Sequence, residues 1–267
     1  MSAATPAPSN ADRRDAVSLR VTDVDKRLRG VEVLRGVSFD VQPGEFVALL
    51  GASGAGKTTL LRCVAGLDDI DAGAIAVAGM PVAALRHRAR RHVGMIFQRF
   101  NLVHRLNALD NVLAGRLGHV PAWRGIARRF GHADRLLALE CLERVGLLDH
   151  MARRVDTLSG GQQQRVAIAR ALAQQPDLIV ADEPVASLDP GSAADVLGLL
   201  RRCCHEQGVA VLCSLHQVDS ARAFADRVVG LAQGAIVVDV AADVFDNTHA
   251  QRLYARIGDH ASLRESA

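Results

Sequence analysis

The stretch FVALLGASGAGKTT, residues 46–59, joins an apolar run of strand length to a glycine-rich loop and the start of a helical pattern. The loop fits G-x-x-x-x-G-K-[ST] in the strand–loop–helix context that cradles phosphate. Glycines let backbone N–H groups turn toward phosphate oxygens, and the helix start adds a favourable dipole. Lys57 would place a compact ammonium against the β- and γ-phosphates of a nucleotide, and Thr58 would place its hydroxyl on Mg²⁺. The residues predicted to hold the nucleotide are Gly51, Ala52, Ser53, Gly54, Ala55, Gly56, Lys57, Thr58 and Thr59.

A strand that ends in acidic residues supplies the second half of this predicted site. In DLIVADEP, residues 177–184, the apolar run predicts a buried strand, and Asp182 at its end is placed to hold Mg²⁺ directly or through water. Glu183 follows at once, in position to orient and polarise a water molecule facing the γ-phosphate. Two adjacent acids also occur in solvated turns, but the phosphate loop upstream favours the metal and water roles.

Strand and helix patterns divide the chain into three parts. Short apolar stretches broken by turns, from Val17 to Val47, predict antiparallel strands that lead into a central buried strand. Helical patterns fill residues from about 100 to 170 and indicate a helical insertion. Strand signals then return at 177–182, 209–215 and 227–240 with helices between them. This alternation is typical of a mostly parallel sheet, so we expect an α/β fold.

Length and composition fit one folded domain. The 267 residues are 49% hydrophobic with a net charge of +3, which excludes a disordered or strongly polyanion-seeking protein. The apolar runs fall well short of the roughly 20 residues that span a bilayer. Residues 1–15 lack the apolar core of a secretory signal, which predicts a disordered tail and a cytoplasmic location. We expect one nucleotide domain over 16–255 and a short C-terminal tail over 256–267.

Two further patterns have an ordinary structural interpretation. The basic run RHRARRH, residues 86–92, could bind nucleic acid, but it lacks aromatic residues to stack bases and is better interpreted as a solvated helix face. No nucleic-acid partner is therefore predicted. The five cysteines are an odd number without a CxxC pair or metal-type spacing, which predicts buried or incidental thiols.

A second glycine-rich stretch, TLSGGQQQR at 157–165, stands immediately before an apolar helical run. Its glycine and polar residues favour an anion held at a helix start. Residues 51–59 are already predicted to bind phosphate, and their motif is the stronger one. The second stretch therefore raises the question of why one chain would have two phosphate-binding sites.

Taken together, the motifs resemble the ATP-binding cassette (ABC) ATPases from about Val17 onward. Six of them occur in that family's order and approximate spacing: GASGAGKTT, Gln98 in MIFQRFNLV, LSGGQQQR, LIVADEP, SLDP and SLHQVD. The resemblance implies a P-loop NTPase domain that uses ATP and Mg²⁺. It also implies a mostly parallel core sheet, an N-terminal antiparallel β-subdomain and a helical subdomain.

The resemblance assigns catalytic roles to three residues. Gln98 would contact Mg²⁺ or the attacking water and report on the transmembrane partner. His216, after the strand VAVLCSL, would reach the γ-phosphate and hold Glu183 and the water in place.

It also implies a homodimer. Ser159, Gly160 and Gly161 would form a helix-start anion site that contacts the γ-phosphate held by a second copy, so that two ATP molecules lie at the interface. Asp189, in SLDP, would couple the two active sites.

Within the family the chain is most similar to the phosphonate import ATP-binding proteins. The stretches that carry this likeness are residues 100–125, DEPVASLDP, SLHQVDSARAFADRVVGL and VFDNTHAQRLY. They imply a peripheral motor subunit on the cytoplasmic face of the inner membrane, with two transmembrane permease subunits and an extracytoplasmic substrate-binding protein. Its cargo would be phosphonate or a related oxyanion such as phosphate or phosphite. The alternatives are another importer or exporter, or a soluble ABC ATPase acting on nucleic acid or the ribosome.

The segment from Gln98 to Asn111 is the predicted docking site for the membrane subunit. Its apolar residues serve either docking or the protein's own core; they are Phe100, Leu102, Val103 and Leu106.

Leu28, in DKRLRG, departs from the family's pattern, because it stands where an aromatic side chain usually stacks on adenine. Leucine offers apolar contact without stacking. We therefore expect loose base selectivity, with GTP tolerated.

Overall fold

The computed structural model describes residues 17–85 and 91–254, which form two β-sheets flanked by α-helices. The strands are β1 (Leu19–Leu28), β2 (Val31–Val41), β3 (Phe46–Leu50), β4 (Ala72–Val77), β5 (Met80–Pro81), β6 (Val93–Ile96), β7 (Leu178–Asp182), β8 (Ala210–Ser214), β9 (Arg227–Ala232) and β10 (Ala235–Ala241). The helices are α1 (Lys57–Val64), α2 (Ala108–Leu113), α3 (Ala122–Ile126), α4 (His132–Arg144), α5 (Gly160–Ala173), α6 (Pro190–Gln207), α7 (Val218–Phe224) and α8 (Asn247–Tyr254).

Both predicted tails, 1–15 and 256–267, lie outside the described residues, as do residues 86–90 of the basic run. From that run the structure describes Arg91, which is exposed, and His92, whose Nδ1 lies 2.6 Å from a carboxylate oxygen of Asp177. His92 therefore contacts the protein's own chain at the start of β6.

The six-stranded core sheet has the strand order β10-β9-β3-β8-β7-β6. Its strands run parallel except for β10, which pairs antiparallel with β9. Every residue of β3 and β8 is buried, as expected for apolar strands in the middle of a parallel sheet covered on both faces. Parallel strands end at one edge, so the segments that follow β3, β7 and β8 meet there. The predicted mostly parallel core sheet is confirmed.

The second sheet is antiparallel, with the order β2-β1-β4-β5. Leu19, Val21 and Val24 of β1 are buried and share a core with Leu60 and Leu61 of α1 and one face of the parallel sheet. This confirms the predicted N-terminal antiparallel region. Strands β4 and β5 were not predicted.

Residues 97–177, all within the described part of the chain, form helices and turns, with one isolated β-bridge between Asn107 and Arg154. Helices α2, α4 and α5 pack on one another, and their apolar residues join α6 and the other face of the parallel sheet in the larger core. The helical insertion expected for this fold class is confirmed. None of the described helices is both long and apolar enough to cross a bilayer.

The turn between β9 and β10 connects the two sheets with the phosphate loop. The Gly234 N–H donates to the Ala55 carbonyl oxygen at 3.1 Å, and the Arg35 N–H donates to the Gly234 carbonyl oxygen at 2.9 Å. A Cβ on Gly234 would lie 2.5 Å from the Val33 carbonyl oxygen, and φ is +82°. Only glycine fits this close approach.

Candidate active site

The phosphate loop is held in shape by its own chain. It follows β3, and α1 begins at Lys57 directly after Gly56. Gly56 has φ +106°, and a Cβ there would lie 2.8 Å from the Val33 carbonyl oxygen. A Cβ on Gly51 would collide with the Leu231 carbonyl oxygen. The fold therefore requires glycine at both positions.

Lys57 lies inside this loop rather than on its surface. Its Nζ donates to the carbonyl oxygens of Gly51 at 2.7 Å and Ala52 at 3.1 Å. Burial lowers the pKa of Lys57, and the charges of Glu183 and Asp182 oppose that shift. An ammonium has three N–H donors, so after these two bonds one remains for a phosphate oxygen. The loop thus positions the ammonium before any nucleotide arrives.

Two of the three predicted metal ligands lie side by side. Thr58 Oγ1 donates to Asp182 Oδ1 at 3.2 Å, although 124 residues separate them in sequence. Hydroxyl and carboxylate oxygens are the donors that Mg²⁺ prefers, so this pair fits a magnesium ion at the end of β7. Gln98, the third, is exposed in a turn two residues after β6. Because Ile96 pairs with Ala181, Gln98 lies beyond the same edge of the sheet as Asp182.

Glu183 and His216 form a close pair: His216 Nε2 lies 2.5 Å from Glu183 Oε1. Glu183 has φ +49°, a left-handed conformation that is uncommon for a residue other than glycine and is often found at functional sites. A cavity of about 300 Å³ opens beside the pair and is large enough for several water molecules. The arrangement can polarise a water molecule next to Glu183.

Ser214, which the sequence analysis did not identify, connects the two acids. It is fully buried at the end of β8, and its Oγ donates to Asp182 Oδ1 at 2.9 Å and accepts from the Glu183 N–H at 2.8 Å. One hydroxyl therefore fixes both the carboxylate of Asp182 and the strained backbone of Glu183. The only sequence signal for it is a polar residue that ends an otherwise apolar strand.

The second glycine-rich stretch begins α5, as predicted. Ser159 is the N-cap: its Oγ accepts from the Gln162 N–H at 3.3 Å, and the Gln162 side chain accepts from the Ser159 N–H at 3.0 Å. Ser159 and Gly160 are exposed. Within the described residues, the hydrogen bonds of this cap stay inside the stretch and do not reach the phosphate loop. The helix start therefore faces outward.

Asp189 lies beside that helix start. It caps α6 by accepting from the Ser192 N–H at 2.9 Å, and the hydrogen bonds from Ser192 hold the pKa of its carboxyl below the usual value. Ser192 in turn is the nearest neighbour of a Cβ built on Gly161. The SLDP turn and the second glycine-rich stretch thus form one continuous surface.

Leu28 ends β1, where it pairs with Val31 across a tight hairpin. Both side chains are exposed, Leu28 at 42% and Val31 at 66%. They present a small apolar surface near the end of the antiparallel sheet.

Arg170 of α5 is a second residue that the sequence analysis missed. Its guanidinium donates to the carbonyl oxygens of Asn101 at 2.5 Å and Phe100 at 3.0 Å, and burial lowers its pKa. Phe100 and Asn101 both have left-handed backbones, with φ +53° and +50°. Arg170 therefore fastens a strained segment, which follows Gln98, to the helix that begins after Ser159. Its signal in the sequence is weak, because it is one of two arginines within an alanine-rich helix.

A glycine loop between a buried strand and a helix, a lysine inside it and an acidic strand end beside it define a P-loop nucleoside triphosphate hydrolase. The family model described as ABC transporter matches residues 34–186. The chain belongs to the ABC transporter family.

Curated relatives carry more specific names. The hypophosphite import ATP-binding protein of Stutzerimonas stutzeri is 49% identical over 242 residues, which are 89% of this chain and 71% of the relative. A phosphonates import ATP-binding protein of a Nostoc species is 52% identical over 231 residues, 84% of this chain and 87% of that one. The phosphonates import ATP-binding protein of Frankia casuarinae is 49% identical over 245 residues, 90% and 97% of the two chains.

Solved structures agree with the fold. A post-hydrolysis dimer of an ATP-binding cassette, bound to ADP and Pi, has a TM-score of 0.71 and 32% identity, covering 85% of this chain and all of that one. Another cassette in its ADP conformation has a TM-score of 0.80 at 24% identity and covers 90% of this chain and 98% of that one. The chain therefore has the fold of an ABC cassette.

Proposed function

We propose that this chain is the ATP-hydrolysing subunit of an importer for phosphonate or a related oxyanion such as hypophosphite, phosphite or phosphate. Hydrolysis is supported above all by the Glu183–His216 pair, in which Oε1 and Nε2 lie 2.5 Å apart. Beside it, Thr58 Oγ1 lies 3.2 Å from Asp182 Oδ1. The choice of cargo rests on the names of relatives that are 49–52% identical over most of the chain.

ATP would be held by the loop from Gly51 to Thr59, with the third N–H of Lys57 on its phosphates. When bound between Thr58 and Asp182, Mg²⁺ would neutralise charge that develops on the phosphate oxygens. Glu183 accepts a hydrogen bond from a water molecule whose oxygen attacks the γ-phosphorus as the bond to the β-phosphate oxygen breaks. The water proton passes to Glu183 and then to the phosphate product. His216 holds Glu183 and reaches the γ-phosphate, and Gln98 contacts the water or the metal ion.

The active unit is a homodimer. Ser159, Gly160 and Gly161 present the start of a 14-residue helix outward, where its N–H groups suit an anion. The γ-phosphate on a second copy is the anion that fits, and the dimeric cassette with ADP and Pi is a precedent for such pairing. Asp189, on the same surface, couples the two sites.

Two permease subunits would bind where residues 98–111 meet the parallel sheet, and an extracytoplasmic protein would deliver the substrate. Val103 is 52% exposed and would be available for docking, whereas Leu102 is buried in the core. A groove of about 190 Å³ adjoins the segment and is lined by Leu67, Met95 and Phe97 among others. The subunit would therefore lie at the cytoplasmic face of the inner membrane.

The test is to reconstitute the chain in lipid vesicles with its permease subunits and binding protein, and to measure ATP hydrolysis with phosphonate, hypophosphite, phosphite and phosphate. Stimulation by one of the four identifies the cargo. Stimulation by none of them, in a complex with basal activity, contradicts the import of oxyanions.

The catalytic assignment has a separate control. Glu183→Gln should lower basal hydrolysis by about 10²–10⁴-fold, because general-base assistance is lost. An unchanged rate would contradict the role of Glu183, whatever the cargo.

A further inference from the structure

The end of the parallel sheet opposite the phosphate loop brings three different metal-ligating groups together. Cys204 Sγ and a ring nitrogen of His205, from the last turns of α6, lie with a carboxylate oxygen of Asp226 within 4.8 Å of one another. Asp226 precedes β9 and bonds Phe46, the first residue of β3. The phosphate loop follows the other end of β3, roughly 13 Å away for a five-residue strand. The cluster is thus separate from the active site.

Hydrogen bonds hold two of the three groups, Asp226 and His205, in place. Asp226 Oδ2 accepts from the Phe46 N–H at 2.8 Å, and the Asp226 N–H donates to the Phe46 carbonyl oxygen at 2.8 Å. His205 Nε2 lies 3.0 Å from the same Asp226 oxygen. Gly208, in a left-handed conformation with φ +69°, ends α6 directly after these turns. Backbone hydrogen bonds that orient a metal ligand are typical of metal sites.

An ion pair between His205 and Asp226 does not account for the Cys204 thiol beside it. Exposed His–Asp pairs are common and need no metal. The thiol of Cys204, however, is fully buried and faces the same point from inside the protein. Sulfur, nitrogen and oxygen donors together suit a borderline ion such as Zn²⁺, whereas Mg²⁺ avoids sulfur. Zinc bonds of about 2.0–2.3 Å place neighbouring tetrahedral ligands roughly 3.3–3.7 Å apart. His205 and Asp226 are already 3.0 Å apart, and ligand atoms at the outer limit of 4.8 Å would have to approach by about 1 Å when the ion binds.

We propose that Cys204, His205 and Asp226 form a binding site for a divalent transition-metal ion of the zinc class, with a fourth position for water. Sequence spacing could not reveal this site, because Asp226 is distant in sequence and is brought near by the sheet. The ion would join the end of α6 to β9 and, through Phe46, to β3. It would stabilise the fold and leave hydrolysis unchanged, independently of the proposed transport function.

Metal binding at this site must release a proton. Burial raises the pKa of the Cys204 thiol to about 12, and the nearby charges of Asp226 and Glu45 act in the same direction. The thiol is therefore protonated without metal. When the sulfur–metal bond forms, the S–H bond breaks and its proton goes to solvent.

The experiment uses Co²⁺ as an optical probe on the full chain without nucleotide or Mg²⁺. A thiolate–cobalt bond gives a near-ultraviolet charge-transfer band, which the oxygen ligands of the ATP site cannot produce. We expect the band to saturate at one equivalent and to disappear when Zn²⁺ is added. Cys204→Ser and His205→Ala should abolish it, whereas the matched control Cys203→Ser, an adjacent buried cysteine outside the cluster, should retain it.

Absence of the band in the unmodified chain would overturn the proposal, as would a band that survives both cluster variants. If Cys204→Ser fails to fold, His205→Ala decides, because the His205 side chain is 41% exposed. Zn²⁺ should also raise the thermal midpoint of the unmodified chain and of Cys203→Ser but not of His205→Ala. ATP hydrolysis by His205→Ala should equal that of the unmodified chain.

Discussion

The two glycine-rich stretches, residues 51–59 and 159–161, both begin helices but use glycine for different reasons. In the first, a Cβ on Gly56 would press against the backbone of the protein's own β2. In the second, a Cβ on Gly160 would meet nothing closer than 3.5 Å, and one on Gly161 nothing closer than 3.3 Å. Neither Gly160 nor Gly161 is among the residues with positive φ.

Some glycines are required by contacts within the chain itself, and others by contacts with another molecule. The fold of one chain explains the glycines at 51 and 56, because they let its own segments approach. It explains the glycines at 160 and 161 less well, because a Cβ at 160 would make ordinary contacts and one at 161 would require a shift of the Ser192 side chain by a few tenths of an ångström. In the proposed dimer, the nucleotide of the second copy would approach these positions from outside and would require their lack of a side chain.

The largest effect is expected for Gly56→Ala. The new methyl group would meet the Val33 carbonyl oxygen in a backbone conformation that L-residues avoid, so the loop should lose its shape and ATP binding should fail. Gly54→Ala is the matched control: φ is +79°, but nothing lies within 4 Å of its Cβ, so it carries only the conformational cost of about 1–2 kcal/mol. Equal ATP affinities of the two variants, measured by calorimetry, would show that crowding does not explain the first stretch.

Ser159→Arg should act on hydrolysis alone. Its bulk and charge lie on the exposed surface, so the isolated chain should still bind ATP while hydrolysis falls by about 10²-fold or more, as expected when transition-state contacts are lost. Gly160→Ala, whose methyl group would make only ordinary van der Waals contacts within the chain, should give the same pattern more weakly. Impaired ATP binding by monomeric Ser159→Arg would mean that the second stretch lies beside the phosphate loop of its own chain. That result would contradict the proposed role of the second stretch in binding a second copy.

Arg170→Ala tests the link between the second stretch and the segment after Gln98. Loss of two hydrogen bonds from a charged donor, one of them partly buried, should lower the free energy of unfolding by about 2 kcal/mol and reduce substrate-stimulated hydrolysis more than basal hydrolysis. Arg165→Ala, on the same helix, removes a more exposed ion pair with Asp195 and should cost less than about 1 kcal/mol. Denaturant unfolding of both variants measures this difference, and equal losses would contradict the anchoring role of Arg170.

The smallest effect is expected for Leu28→Tyr. An aromatic ring at this exposed position would stack on a purine base and should raise the preference for ATP over GTP by a few-fold, about 1 kcal/mol. Competition binding with the two nucleotides measures the ratio. An unaltered ratio would mean that Leu28 does not contact the base.

Elements with a local signal could be predicted, and contacts between distant segments could not. The strand–loop–helix at 46–64 and the acidic strand end at 182 could be predicted because neighbouring residues in the sequence determine them. Strand β4, in contrast, is a short run of glycine, alanine and two larger residues whose pairing with β1 depends on the tertiary fold. Ser214 and Arg170 are ordinary residues in their own elements. Their importance comes from partners 31 and 70 residues away, which sequence periodicity cannot identify.

The turn at Gly234 adds a direct hydrogen-bonded link between the phosphate loop and the antiparallel sheet. Because it bonds both Ala55 in the phosphate loop and Arg35 in the antiparallel sheet, neither can shift without straining the other. A nucleotide that grips the loop by its phosphates would therefore also fix the sheet that carries Leu28. Binding of the phosphates would then also order the surface around Leu28, the proposed contact of the base, so the chain would respond to the whole nucleotide rather than to its triphosphate alone.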